Sequence, residues 1–118
     1  MREFSNELKM KNFKYKNGSY FIKKTSGKPG LVLVYASWCG YSKILGPEWR
    51  EFEKDYKNKY YIASIKVDKE KSGNDLIANQ LNISGYPTIK YINKEGKIGE
   101  TYEGERNIEN FEKYLSKK

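Results

Sequence analysis

The apolar run Leu31-Val32-Leu33-Val34-Tyr35 leads within a few residues to the chain's only cysteine, Cys39, and then to a stretch from Ser42 to Lys57 with helical spacing. A continuous apolar run is what a central strand needs when both of its faces are covered. Cys39 therefore falls at a strand-to-helix turn, inside Trp38-Cys39-Gly40-Tyr41-Ser42-Lys43. At such a turn, free backbone N–H groups and the helix dipole stabilise a thiolate, the reactive form of cysteine. A free cysteine is also commonly a small buried hydrophobe. Here Gly40 allows a tight turn, Trp38 offers an apolar platform, and Lys43 adds positive charge, so the reactive reading is preferred. A Cys-x-x-Cys pair would make a dithiol redox centre. Ser42 stands at the second position, which keeps the attacking sulfur and removes the resolving one.

Composition narrows the chemistry further. With one cysteine there is no internal disulfide, and with no histidine there is no Cys-His pair, serine triad or usual zinc site. A chain of 118 residues reads as one domain. No apolar run is long enough for a transmembrane helix. The N-terminus lacks a signal-peptide core, so the cytoplasm is the default location, or a secretory-pathway domain if a signal has been removed. The net charge is +8, from 23 Lys+Arg against 15 Asp+Glu. Lysines are spread along the chain and arginine occurs only at Arg2, Arg50 and Arg106, which reads as a compositional bias. Nucleic acid is not expected as a partner. The Asn17-Gly18-Ser19 and Asn82-Ile83-Ser84 sequons are read as chance matches in an Asn-rich chain.

Residues 1–17 are polar and basic with weak periodicity, Asn17-Gly18 is a turn signal, and Tyr20-Phe21-Ile22 suits a short strand or a helical turn. After the first clear strand, Ile44, Leu45, Trp49, Phe52 and Tyr56 mark a helix that contains Pro47, where a kink is expected. Residues 61–68 read as a second buried strand, 74–80 as a short amphipathic helix, and 88–93 as an alternating strand. The latter puts Ile89 and Tyr91 on one face and Ile92 on the other. Lys94-Glu95-Gly96-Lys97 reads as a hairpin turn and 98–102 as its return strand. A last helix spans 107–117, with Asn107 as N-cap. The order is that of an α/β fold with a mixed sheet. Residues 1–29 are expected to supply a first strand or helix to the same domain as residues 30–118.

The motifs in their order resemble the thioredoxin-like fold, and within it the catalytic domains of the protein disulfide isomerase family. The shared phrases are "YASWCGYSK", "GPEW", "KVD", "GYPTIKY" and "YEGER", over about residues 30 to 116. The resemblance implies a central mixed β-sheet flanked by helices, thiol–disulfide exchange as the activity, and Cys39 as the nucleophile. It implies a cis Tyr86–Pro87 bond, which the sequence alone leaves open, and a peptide paired in strand fashion beside Pro87. Trp38, Gly40, Tyr41, Tyr86, Pro87 and Thr88 would contact substrate, with Lys43 and Arg106 tuning the site. The implied partners are protein or peptide thiols and disulfides, with glutathione as a further thiol. No cofactor or metal is implied, and a monomer is expected.

The chain departs from the family at two positions. Ser42 replaces the resolving cysteine, so a mixed disulfide cannot be resolved from within. Leu33 stands where the family carries a buried acid that relays protons to that cysteine. Joint loss suggests a natural single-thiol variant, whereas the otherwise intact motif suggests an engineered Cys→Ser change; the sequence leaves both open. Two alternatives are a non-catalytic client-binding or structural module and a monothiol glutaredoxin-like binder of glutathione and an iron–sulfur cluster. Against the latter stand Trp38, the Tyr86-Pro87-Thr88 order, the Tyr102-to-Arg106 segment and the missing Gly-Gly-x-x-Asp signature.

Overall fold

The computed structural model describes residues 4–36, 40–67 and 74–118, with the side chains of 41–43 and 74–76 outside the description. In chain order it contains β1 (Glu7–Leu8), a 3-10 turn (Met10–Asn12), β2 (Phe13–Lys16), β3 (Ser19–Ile22), β4 (Gly30–Ala36), α1 (Gly40–Tyr56), β5 (Tyr61–Val67), α2 (Asn74–Gln80), β6 (Thr88–Ile92), β7 (Ile98–Thr101) and α3 (Ile108–Ser116). Five strands form one mixed sheet in the order β1-β5-β4-β6-β7. The β1, β5 and β4 strands run parallel, while β6 and β7 complete the sheet antiparallel. This is the mixed α/β sheet expected from the sequence.

Strand β4 is central, and every residue in it is buried. Its alternate side chains feed two separate cores. Leu31, Leu33 and Tyr35 pack with Trp49, Phe52, Ile62, Ile89 and Phe111 beneath α1 and α3. Val32 and Val34 pack with Leu8, Phe13, Ile65, Ile77 and Ile92 beneath α2 and the β2–β3 hairpin. The first core is aromatic. Phe52 and Phe111 have ring centroids 5.0 Å apart, and Trp49 lies 5.5 Å from each. Tilted and edge-on arrangements of this kind satisfy the ring quadrupoles as well as burying area.

Helix α1 runs unbroken through Pro47. Leu45, Trp49 and Phe52 form its buried face, but Ile44 is 76% exposed. Ile44, one of the apolar residues that mark this helix in the sequence, stands off the buried face. It lies one residue, about 100° of helical turn, away from Leu45, so the two cannot share a face. At the start of α3, Asn107 acts as the expected N-cap, its Oδ1 accepting from the Asn110 N–H at 2.9 Å. Glu48 of α1 adds a second partner that the sequence did not announce, its Oε2 accepting from the Ile108 N–H at 2.9 Å. Between them these two acceptors satisfy amides that a helix start leaves open.

The N-terminal region holds more structure than its weak periodicity suggests. Two-residue β1 pairs Glu7 with Ser64 and Leu8 with Ile65. β2 and β3 pair from Phe13–Ile22 to Lys16–Ser19, with only Phe13 and Ile22 buried. This ribbon docks on the β6–β7 turn through the Ile22 N–H, which donates to the Gly96 carbonyl at 2.8 Å. Gly96 adopts φ +91, and a Cβ there would lie 2.5 Å from the Ile22 carbonyl oxygen, so both conformation and space call for glycine.

Two stability predictions follow from the packing. Phe52→Ala removes a fully buried ring from the centre of the first core and should cost about 3–5 kcal/mol in urea unfolding. Tyr61 and Tyr102 have pKa values raised by burial. Tyr60 and Tyr114 are raised by burial and then by hydroxyl bonds to Glu112 and Glu100, respectively. Folding thus favours the neutral phenol, while the unfolded chain begins to ionise near pH ~10. Stability should be complete below pH ~10 and fall as pH rises further through the folded-state values. Thermal melting followed into the alkaline range checks this, and Tyr114→Phe should make the decline shallower.

Candidate functional site

β4 ends at Ala36 and α1 begins at Gly40, with Ser37, Trp38 and Cys39 between them in sequence. Those three residues lie outside the described part, as do the side chains of Tyr41, Ser42 and Lys43. Gly40 itself is exposed, and a Cβ there would meet nothing within 4 Å. The tight turn expected of this glycine is therefore not imposed by its surroundings. Ile44, in the first turns of α1, is exposed and adds an apolar surface near the start of that helix.

Thr88, the first residue of β6, is in register with Val34 near the end of β4. The loop before β6 therefore reaches the same end of the sheet at which α1 starts. Its Tyr86–Pro87 bond is cis, Pro87 is buried and Tyr86 is half-buried. The Thr88 hydroxyl donates to the Gly85 carbonyl at 2.7 Å and closes the loop on itself. Arg106 reaches this loop from the segment before α3, its Nη2 donating to the Pro87 carbonyl at 2.8 Å. Of the site residues read from sequence, the described part thus brings Gly40, Tyr86, Pro87, Thr88 and Arg106 to one end of the sheet.

The Tyr102-x-Gly104-x-Arg106 spacing has a mechanical basis here. The Tyr102 ring sits in the aromatic core, 5.3 Å from Phe111. Its hydroxyl donates to the Glu105 carbonyl and folds the segment back over the ring. A Cβ on Gly104 would lie 2.6 Å from that hydroxyl oxygen, so glycine is required for the close approach. The residue after Glu105 is then held within reach of Pro87.

Beneath this end of the sheet, Leu33 is fully buried, with Ser64 opposite on β5 and Ile89 opposite on β6. The Ser64 hydroxyl is buried without a hydrogen-bond partner among the described residues. A carboxylate does approach from the sheet edge, where Glu7 accepts the Tyr35 hydroxyl. Sequence reasoning missed Glu7 because its position depends on the pairing of β1 with β5, far apart in the chain. The signal was faint: an acid beside a single apolar residue, Leu8, in an otherwise basic stretch. Among the described residues no group of three His, Cys, Asp or Glu side chains could hold a metal, and no helix is long and apolar enough to cross a membrane. A cavity of about 240 Å³ lined by Thr25, Glu53, Tyr61 and other residues lies at the opposite end of β5, away from Pro87.

Arg106→Ala should remove the bond to the Pro87 carbonyl. The arginine is solvent-exposed, so the expected loss is modest, about 1 kcal/mol in urea unfolding.

Residues 7–117 match the family model described as Thioredoxin. The chain is 34% identical over 87 residues to "Protein disulfide-isomerase 1" of Dictyostelium discoideum, covering 74% of this chain and 24% of that protein. It is 38% identical over 90 residues to "Protein disulfide isomerase-like 2-2" of Oryza sativa subsp. japonica, covering 75% of this chain and 23% of the relative. The chain thus spans about a quarter of the length of these curated relatives. Among solved structures, human ERp44 superposes with a TM-score of 0.68 at 23% identity, over 95% of this chain and 32% of that one. A crystal form of ERdj5 gives 0.73 at 18% identity, over 96% and 14%. At these identities the superpositions speak for the fold alone.

Proposed function

The chain belongs to the thioredoxin family, and from that premise we propose that it performs thiol–disulfide exchange through a single thiolate. The observation that carries the reading is the place of the only cysteine in the sequence, after β4 ends and before α1 begins, together with the Arg106 contact to the Pro87 loop at the end of the sheet that β4 reaches there. A helix start favours the thiolate. Cys39 attacks one sulfur of a substrate disulfide, a new S–S bond forms, and the displaced sulfur leaves as a thiolate. Ser42 cannot attack the mixed disulfide, so release requires an external thiol. Glutathione or a second thiol of the substrate can serve, and the latter gives isomerisation with no net redox change.

In this reading Trp38, Gly40, Tyr41, Tyr86, Pro87 and Thr88 receive an extended substrate segment, while Lys43 and Arg106 bias the charge around the sulfur. Ile44 joins them as an apolar contact. Leu33 favours a second reading, in which the domain captures clients without turning them over. A buried leucine cannot pass a proton to a departing thiol; its register partners Ser64 and Ile89 are not ionisable there, and the carboxylate one strand further out, Glu7, is engaged by the Tyr35 hydroxyl.

Alkylation of Cys39 by iodoacetamide against pH tests the proposal. A midpoint well below about 8.5 is expected; a midpoint at or above that value, or no reaction, overturns it. Ser42→Cys should confer insulin reduction in the presence of a dithiol reductant. If thiolate reactivity is present and this variant stays inactive, capture without turnover is the function.

A further inference from the structure

The net charge of the chain is not evenly distributed. No Asp or Glu occurs between Glu7 and Glu48. Within that interval Lys9, Lys11, Lys14, Lys16, Lys23 and Lys24 are all exposed, and none has an ion-pair partner among the described residues. Two ion pairs of the described residues, Lys59–Glu112 and Lys118–Glu100, lie elsewhere. The six lysines lie on the β2–β3 ribbon and its flanks, and the ribbon docks on the β6–β7 turn, which is at the other end of β6 from Pro87.

The ribbon also presents an open strand edge. The Ile22 N–H points away from β2 to the Gly96 carbonyl, so Phe13–Ile22 is a non-hydrogen-bonded pair. Antiparallel pairs alternate, and the Lys23 N–H bonded to the Asn12 carbonyl agrees with this register. Tyr15–Tyr20, two positions further on, is therefore also non-hydrogen-bonded. The N–H and C=O of Tyr15 consequently face outward, with no strand beside them among the described residues. Lys14 and Lys16 project on one face of this edge. On the other lie Tyr15, 65% exposed, and Tyr20, its ring centroid 5.0 Å away. These rings border a groove completed by Asn79, Gln80 and Asn82.

We propose that the outer edge of β2 binds an extended acidic polypeptide segment by strand addition. The main chain of the segment would pair with Tyr15, its carboxylates would meet Lys14 and Lys16, and its alternate side chains would enter the tyrosine-lined groove. Edge lysines ordinarily repel added strands. Against an acidic strand the same charges attract, so the edge selects by charge as well as by shape. The observations favour a polypeptide over a nucleic acid for two reasons. The available donor and acceptor are those of a strand edge, and no arginine on the ribbon supplies the planar fork suited to phosphate.

The test is fluorescence anisotropy with a labelled peptide alternating Glu and Val. Binding should weaken at high salt. It should fall by about tenfold in K14E/K16E and change by less than about twofold in K113E/K117E, which alters net charge equally on α3. A peptide carrying proline in place of the valines should not bind, since it cannot pair with the edge. Equal losses in the two variants, equal binding of the proline peptide, or tighter binding of a single-stranded oligonucleotide or phosphatidylserine vesicles would overturn the proposal. In the unaltered chain, the Tyr15 amide should become protected from hydrogen exchange when the peptide is added, and lack of protection would overturn it independently of any variant. Cys39→Ser should bind the peptide as well as the unaltered chain does, which separates this surface from the thiol chemistry.

Discussion

Burial of β4 on both faces is the constraint on which the rest of the structure depends. Its seven residues leave no side for water, so one helical layer must cover Leu31, Leu33 and Tyr35, and another set of elements must cover Val32 and Val34. The aromatic residues of α1 and α3 answer the first demand. The second is answered by Ile77 of α2 together with Phe13 and Ile22 of the hairpin. The N-terminal ribbon is thus part of the covering layer over half of the second core, and its exposed lysines ride on a pair of buried anchors. A central strand of this kind also fixes where chemistry can occur, because chain leaving its end must turn at once into the covering helix.

Legibility in the sequence followed the same division. Elements whose apolar residues are contiguous or evenly spaced were visible: β4, the Leu45–Trp49–Phe52 stripe of α1, β5, α3 with its Asn107 cap. The ribbon was not, because only one residue of β2 and one of β3 are buried and a period cannot be read from single anchors. Tyr20-Phe21-Ile22 stayed ambiguous for the same reason. Ile44 belongs to the apolar set that marks α1 but lies off its buried face, because neighbouring helical positions point about 100° apart. At the site, Arg106 and Pro87 were named from motif, and their hydrogen bond adds the physical link between them. Glu48 and Glu7 could not be found by pattern, since each meets its partner only once separate elements have packed.

Leu33 sets the character of the layer beneath this end of the sheet without altering the fold. Leucine at position 33 completes an apolar layer with Ile89 and Phe52, and it leaves Ser64 as the polar group nearest in register. The carboxylates that approach this core are hydrogen-bonded: Glu7 accepts the Tyr35 hydroxyl, and buried Glu53 accepts from the Ser5 N–H.

The Glu48 carboxylate gives the site a mechanical property. Glu48 belongs to the helix that follows the cysteine, and it holds the first amide of α3. Two residues before that amide, Arg106 holds the carbonyl of Pro87. Helix, acid, helix start, arginine and proline loop form a continuous linkage around the end of the sheet. α1 and the Pro87 loop are therefore tethered to each other through the start of α3. A displacement of α1 is passed through the start of α3 to the Pro87 loop, so these three parts of the chain move as one.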